Sequence, residues 1–181
     1  MAKEKATGLL PYIGIPIIGI SYFIMSMNRT DAFRILIYEL ILMFGYAIAV
    51  SDIRTKKISN GLILAMLTAW VSVMIPKLTM DPDPAIVLLK DSVLGFLIGG
   101  GMFLFVYIVS KKGLGGGDVK FMAVAGLFLG LSGVFTTMFY GTCLAAAFGL
   151  LLIALKKIGR KDAIPLAPFL YVGIIVTVFR F

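Results

Sequence analysis

Histidine is absent from this chain of 181 residues, and cysteine occurs once, at Cys143. Without histidine, the chain cannot use Ser-His-Asp or Cys-His catalysis or build an HExxH zinc site. A single cysteine forms neither an intrachain disulfide nor a CxxC metal site, and Cys143 lies in an apolar run where a small packing role is expected. The groups that remain for catalysis are nine carboxylates, the lysines and the hydroxyls. The sequence therefore predicts neither a cofactor nor a bound metal.

Long polar segments are also missing. Hydrophobic residues make up 60% of the chain and the mean hydropathy is +1.04, whereas ordinary soluble domains are about 45–50% apolar. No hydrophilic block is long enough to fold as a second domain. The chain is therefore predicted to be an all-α, polytopic membrane helix bundle that has the lipid bilayer as a partner.

The net charge of +8 does not indicate nucleic-acid binding. The basic residues lie in short loops between the apolar runs, which is the pattern of membrane-topology signals. No basic surface with stacking aromatic side chains is left over for a nucleic acid. Nucleic acids are therefore excluded as partners.

Seven membrane-spanning helices are predicted from the apolar runs. The first run is expected to be retained rather than cleaved, because Pro11 and Pro16 interrupt it and no small-x-small cleavage site follows. The long run of residues 119–155 has room for two spans, with the turn at Ser132-Gly133. Trp70 is expected at a membrane interface. The runs are residues 8–27, 33–50, 58–75, 86–110, 119–155 and 163–179.

The distribution of basic residues predicts the orientation of these helices. With the N-terminus in the cytoplasm, the inner segments hold twelve Lys and Arg residues and the outer segments hold only four. Since cytoplasmic loops are enriched in Lys and Arg, we expect a multi-pass protein of the cell (plasma or inner) membrane with a cytoplasmic N-terminus. Asp52 and Asp118 then both lie at the cytoplasmic face.

Asp52 and Asp118 occupy equivalent positions in this arrangement, at the inner end of the second span and the inner start of the fifth. An even number of crossings separates them, so helix packing can bring them together. Two carboxylates within hydrogen-bond reach cannot easily both ionise, and they share a proton. One of them can then act as a base on a water while the other protonates a carbonyl oxygen, which hydrolyses a peptide bond without metal, cysteine or histidine.

Simpler roles for the same carboxylates remain open on spacing alone. Asp118 precedes Val119 at the start of a helix and fits an N-cap. Asp52 could be a solvated loop charge paired with Arg54. Glu39 lies within the second span, where a carboxylate is a functional candidate, although pairing or a water contact near the interface is expected.

Other functions would use these groups differently. A small ion-coupled transporter would use carboxylates such as Asp52, Asp118 and Glu39 near the bilayer midplane, at broken helices. A non-catalytic membrane scaffold would need neither aspartate. Lys90-Asp91 is interpreted as a pair at the outer boundary of the membrane, and Lys120 either biases the charge of Asp118 or anchors the inner end of its helix.

Three segments resemble the motifs of type IV prepilin peptidases, which are membrane-embedded aspartic proteases of the GxGD class. The GxGD-V-K signature is similar to Gly115-Gly116-Gly117-Asp118-Val119-Lys120. The family's first motif, an aspartate followed by basic residues and then Ile-Pro-Asn, resembles Asp52-Ile53-Arg54-Thr55-Lys56-Lys57-Ile58-Ser59-Asn60. A third segment near the C-terminus, Ile-Pro-Phe-Gly-Pro-Phe-Leu in the family, is similar to Ile164-Pro165-Leu166-Ala167-Pro168-Phe169-Leu170. The resemblance covers roughly residues 46–171.

The resemblance implies that Asp52 and Asp118 are the catalytic pair of an aspartic endopeptidase. Its substrates would be prepilin-like or archaellin-like precursors, cut at the cytoplasmic face between a short basic leader and a hydrophobic helix. The glycines of residues 113–117 are expected to let an extended substrate approach the two aspartates. Motif positions expected to bind substrate are Asn60, Gly115, Gly117, Lys120, Pro165 and Pro168.

The resemblance also implies a domain organisation. Residues 31–181 would form the six-helix membrane-embedded aspartic peptidase domain, and residues 1–30 would add an N-terminal membrane span. Two positions depart from the family pattern, with Ser59 in place of a proline and Ala167 in place of a glycine. The N-terminal cytoplasmic domain of bifunctional members, with its paired CxxC motifs, has no counterpart, so N-methyltransferase activity is not expected.

Overall fold

A computed structural model describes residues 2–27, 31–110, 113–157, 159 and 164–180, without the side chains of residues 2–13 and 15. Every regular element in these ranges is an α-helix, which confirms the predicted all-α class. Basic residues that the orientation count used but that lie outside these ranges are Arg29, Lys111, Lys112, Arg160 and Lys161. The helices are α1 (Ala2–Met27), α2 (Ala32–Thr55), α3 (Asn60–Met80), α4 (Pro82–Val109), α5 (Gly116–Ala154) and α6 (Ala167–Arg180).

Four of these helices, α2 to α5, are long and apolar enough to cross a membrane. Their length follows from unbroken apolar sequence, because few charges interrupt any of the four. Large apolar side chains also cover much of the outer surface, including Phe105 at 68% and Leu150 at 68% exposure. Such a surface is stable against lipid rather than water, since the bilayer solvates apolar side chains while each helix satisfies its own backbone.

The prediction of seven helices is corrected in α5, which contains both the predicted fifth and sixth spans. Its 39 residues would extend about 59 Å if straight, at 1.5 Å per residue, roughly twice the hydrocarbon thickness. The helix is instead broken at Gly130, whose φ of 65° and ψ of −176° are not helical. The predicted turn at Ser132-Gly133 was therefore wrong by two to three residues.

Asp91 on α4 stabilises the break in α5. Its Oδ1 accepts a hydrogen bond of 3.1 Å from the N–H of Leu131, the first residue after the break. Its Oδ2 lies against the position where a side chain at Gly130 would start. Asp91 therefore acts as a cap for the second half of α5 from another helix, rather than only as a boundary charge beside Lys90.

Glycines allow α4 to pack closely on the first half of α5. A side chain at Gly95 would meet the carbonyl of Gly126, and one at Gly99 would lie 2.7 Å from the carbonyl oxygen of Met122. Gly95 and Gly99 therefore form a close-packing surface of small residues on α4. The second half of α5 instead packs on α6, where a side chain at Gly173 would meet the carbonyl of Thr137.

The core is formed mainly by α2, α5 and α6, with further buried side chains from α3 and α4. Trp70 belongs to it, with 8% exposure and an indole N–H that donates a 2.9 Å hydrogen bond to the carbonyl of Leu127. Trp70 is therefore a buried core residue with a protein partner for its indole N–H, and its expected place at a membrane interface stays a prediction. The largest fully buried side chains include Phe121, Ile41, Leu42, Ile48, Met66, Met122, Leu170 and Ile174.

Candidate functional site

Asp52 lies in the last turn of α2 with 6% of its surface exposed. The helix ends directly after it, because Lys56 adopts a left-handed conformation and donates its N–H to the carbonyl of Asp52 at 2.8 Å. The side chain points into the protein, where Oδ2 accepts a 3.1 Å hydrogen bond from the backbone N–H of Ala167. Asp52 is therefore a buried, fixed carboxylate and not a solvated loop charge.

The partner of Asp52 is the N-terminus of α6. The first N–H groups of a helix have no partner within the helix, and their partial positive charge favours a nearby carboxylate. The carbonyl of Leu166 accepts the N–H of Phe169 at 3.0 Å and that of Leu170 at 3.1 Å. Pro168 suits this first turn because it lacks an N–H that would otherwise need a partner. The N–H of Ala167 is left over, and the carboxylate of Asp52 satisfies it.

Asp118 is the third residue of α5 and is not its N-cap. Gly115 holds the N-cap position without any side-chain cap, and its carbonyl accepts the N–H of Asp118 at 3.1 Å. Oδ2 of Asp118 lies 2.7 Å from the point where a β-carbon at Gly115 would sit. Oδ1 is buried, and none of the described residues donates a hydrogen bond to it. Asp118 is therefore not the N-cap considered for it, although its carboxylate contacts the backbone of the N-cap residue Gly115.

The fold brings Asp52 and Asp118 close enough to interact electrostatically. They come from two helix termini, the end of α2 and the start of α5, which meet at one end of the bundle. The backbone N–H of Ala167 holds one oxygen of Asp52, and the carboxylate of Asp118 contacts the backbone of Gly115, while Oδ1 of Asp118 has no donor among the described residues. Two carboxyl groups that come into direct contact can hold one proton between them, and the buried Oδ1 of Asp118 is then available to a water or a carbonyl.

Lys120 and Asn60 contact each other beside this pair. Nζ of Lys120 donates a 2.9 Å hydrogen bond to Oδ1 of Asn60 at the start of α3, and both residues are exposed. Ser59, which stands where the resembling family has proline, is the N-cap of α3 and accepts the N–H of Gly61 at 3.2 Å. Lys120 therefore joins the start of α5 to the start of α3.

The glycines before Asp118 have different neighbours. A β-carbon at Gly117 would lie 2.9 Å from the β-carbon of Ile58, so Gly117 allows close packing between the start of α5 and the segment after α2. A β-carbon at Gly115 would instead meet Asp118 itself. Only Gly115 therefore adjoins the carboxylates directly, while Gly117 supports the site through packing.

Pro165 and Pro168 flank the backbone that holds Asp52. Both are half-buried, with Pro165 in the segment before α6 and Pro168 in its first turn. The functional contact at this motif comes from the backbone of Ala167, which sequence reasoning did not identify. A backbone N–H does not depend on the type of side chain, so a motif does not reveal it as a donor. In the sequence, the two prolines around Ala167 were the one indication that this backbone segment matters.

Glu39 lies apart from this site. It precedes Asp52 by thirteen positions on the same helix, which is about 20 Å at 1.5 Å per residue. Its Oε1 accepts a 2.6 Å hydrogen bond from the hydroxyl of Ser21 on α1. This agrees with the expected pairing and links α1 to α2. Within the described residues, no group of three or more His, Cys, Asp or Glu side chains is placed to hold a metal ion.

Comparison with known proteins identifies relatives of the chain. The profile of the type IV leader peptidase family matches residues 39–150, which include both aspartates. The chain is 28% identical to the prepilin leader peptidase/N-methyltransferase of Bacillus subtilis (strain 168) over 85 residues, covering 45% of this chain and 34% of that protein. It is 26% identical to the protein of the same name from Xanthomonas campestris pv. campestris over 131 residues, covering 72% of this chain and 45% of that protein.

These matched segments span less than half the length of each relative. No solved structure matches the chain significantly.

Proposed function

The chain belongs to the type IV leader peptidase family, and from this we propose that it is a membrane aspartic endopeptidase that uses Asp52 and Asp118 to activate water. The observation that carries the proposal is the electrostatic interaction between these two carboxylates, which lie at helix ends in a bundle of membrane-length helices. The two matched relatives are named as prepilin leader peptidases, which supports the same reaction.

Hydrolysis by this pair requires one proton shared between the two carboxyl groups. The ionised group removes a proton from a water held between them, and that water attacks the carbonyl carbon of the scissile peptide. The protonated group donates to the carbonyl oxygen as the tetrahedral intermediate forms. Proton donation to the leaving nitrogen then completes cleavage. The backbone N–H of Ala167 keeps Asp52 in place during these transfers, and Oδ1 of Asp118 is free to contact the water or the carbonyl.

The proposed substrates are prepilin-like or archaellin-like precursors with a short basic leader followed by a hydrophobic helix. The charge distribution supports an active site at the cytoplasmic face, where such a leader would emerge from the bilayer. The exposed positions of Asn60, Lys120 and Gly115 around the two carboxylates support their assignment to substrate contact.

The proposed domain division places the peptidase in residues 31–181 and an additional membrane span in residues 1–30. It is supported by the helix boundaries, because α1 ends at Met27 and α2, which carries Asp52, begins at Ala32. The contact between Ser21 and Glu39 would then join the additional span to the peptidase domain.

The proposal is tested by co-expressing the chain with prepilin-like and archaellin-like precursors and following leader removal by mass. We expect the wild type to cut at least one precursor, and Asp52→Asn and Asp118→Asn to leave it intact at equal membrane abundance. Normal cleavage by either variant would refute the dyad. An ion-coupled transporter or a scaffold would leave every precursor uncut by the wild type.

A further inference from the structure

An apolar groove opens on the side of the bundle next to the two carboxylates. It has a volume of about 390 Å³ and lies between the C-terminal half of α4 and the second half of α5. Phe103 and Met138, with exposures of 4% and 9%, form its floor, while Val106 and Phe135, at 47% and 49%, form its walls. Among the residues that the structure describes, none that lines it is charged.

The groove exists because the two halves of α5 pack on different helices. The close contacts of α4, through Gly95 and Gly99, reach the first half of α5, whereas the second half packs on α6 through Gly141 and Gly173. α4 and the second half of α5 therefore separate toward the end of α4. The hydroxyl of Thr142, the one polar side chain in the lining, bonds the carbonyl of Met138 at 2.6 Å and adds no free polar group.

The groove shares its rim with the candidate active site. Leu114 lines the groove and directly precedes Gly115, which adjoins Oδ2 of Asp118. Leu166 lines it as well and directly precedes Ala167, whose N–H binds Asp52. A substrate whose scissile bond lies at the carboxylates can therefore continue past Leu114 and Leu166 into the groove along an apolar surface.

We infer that this groove binds the first turns of the hydrophobic segment that follows the scissile bond in the substrate. The inference rests on the proposed function. Because the lining on α5 runs from Phe135 to Thr142, seven positions apart, the lined stretch measures roughly 10 Å, or about two helical turns, at 1.5 Å per residue. An apolar segment of that length fills the groove, whereas a charged one would lose its hydration without a partner.

Cysteine cross-linking tests this assignment with a matched control on the same helix. The protein carries Cys143→Ser to remove its own thiol and Asp118→Asn to retain uncut substrate. Val106→Cys places a thiol on the groove wall, and Phe105→Cys places one at nearly the same depth outside the groove lining. The substrate carries single cysteines along its hydrophobic segment, and copper phenanthroline oxidises neighbouring thiols to disulfides.

We expect Val106→Cys to form cross-links at substrate positions spaced three or four residues apart, as one side of a helix requires, and Phe105→Cys to form none. In the active protein, Val106→Trp should slow cleavage by about tenfold or more, because it fills the pocket. Phe105→Trp should stay within about twofold, since it adds no side chain to the groove lining.

Wild-type cleavage of the same substrate separates the possible failures. If the wild type cleaves the substrate but Val106→Cys forms no cross-links, or Phe105→Cys forms as many, the groove assignment is overturned and the peptidase proposal stands. A lipid acyl chain would then be the occupant of the groove. Specific cross-links without wild-type cleavage would contradict the peptidase proposal and support the groove. If the wild type does not cleave the substrate and no specific cross-links form, both the peptidase proposal and the groove assignment are contradicted.

Discussion

Asp52 belongs to α2 by covalent connection and to α6 by hydrogen bonding, across 115 positions of sequence. This contact fixes where one carboxylate of the pair lies relative to the other. The donor is a backbone N–H rather than a side chain, so the position of Asp52 depends on where α6 starts. The C-terminal motif therefore acts on the site through its backbone, and its side chains need not contact substrate.

Replacing Ala167 with proline should remove this hydrogen bond while retaining α6. Proline is tolerated in the first turn of a helix, where its missing N–H is not needed within the helix. A hydrogen bond to a charged group contributes about 1.5–3 kcal/mol, so precursor cleavage by Ala167→Pro should fall by about 10- to 100-fold. The matched control is Ala167→Gly, which keeps the N–H and should retain most activity. Equal loss in both variants would contradict the role of the N–H.

Gly115→Ala should displace the Asp118 carboxylate without straining the backbone. Gly115 has a φ of −73° and a ψ of 135°, which alanine adopts freely, but its β-carbon would lie 2.7 Å from Oδ2 of Asp118. Cleavage should fall by about tenfold or more, as expected when a catalytic group is displaced by about 1 Å. At Gly116 the nearest atom is 4.0 Å away, on Tyr107, so Gly116→Ala should cleave normally. A normal rate for Gly115→Ala would show that Asp118 can move aside.

The two carboxylates could be predicted from the sequence because each stands in a motif at the end of an apolar run. The contacts around them could not. Ala167 contributes only a backbone N–H, and Lys120 and Asn60 meet because α3 and α5 start at the same end of the bundle. The spacing of these residues in the sequence does not predict that they are in contact.

At the scale of helices, the break in α5 determines the arrangement of the bundle. It lets the first half of α5 pack on α4 and the second half on α6, and so gives α6 a position from which its N-terminus reaches Asp52. Residues 119–155 contain Gly126, Gly130 and Gly133, each of which could end a helix. The position of the break is fixed by Asp91 of α4, which accepts a hydrogen bond from the N–H of Leu131. The sequence of residues 119–155 does not contain this partner, so it could not predict which glycine breaks the helix.

Gly130→Ala should destabilise the folded protein because alanine rarely adopts the backbone conformation found there. The conformation is essentially restricted to glycine and costs other residues about 1–3 kcal/mol, and the new β-carbon would also meet Asp91. We expect a lower thermal unfolding temperature in detergent. Gly101→Ala is the control, since nothing lies within 4 Å of its β-carbon position on α4. An unchanged unfolding temperature for Gly130→Ala would contradict the strained break.

At the scale of the whole molecule, the arrangement places Asp52 and Asp118 at one end of the bundle and the break in α5 toward the other. The charge distribution predicts which end faces the cytoplasm, because the basic residues concentrate near the two aspartates. The apolar runs predicted a membrane helix bundle, in which four helices are long and apolar enough to cross a membrane. The packing partners of each helix could not be predicted, since every run has a similar apolar composition.

Thiol labelling should establish this orientation. In a Cys143→Ser background, Lys57→Cys lies on the side of the aspartates and Asp83→Cys on the opposite side, and both positions are exposed. A membrane-impermeant maleimide should label Asp83→Cys in intact cells and Lys57→Cys only after permeabilisation. The reverse pattern would place the two aspartates outside the cytoplasm and contradict cleavage at the cytoplasmic face.

The most direct test of the central claim is a double-mutant cycle of Asp52→Asn and Asp118→Asn in purified protein reconstituted into vesicles with one cleaved precursor. Groups that act as a unit lose activity together, so removing the second costs little more than removing the first. We predict that each single variant loses cleavage by about a thousandfold or more and that the double variant is no slower than either. A single variant that retains more than about a tenth of the wild-type rate would contradict a catalytic pair.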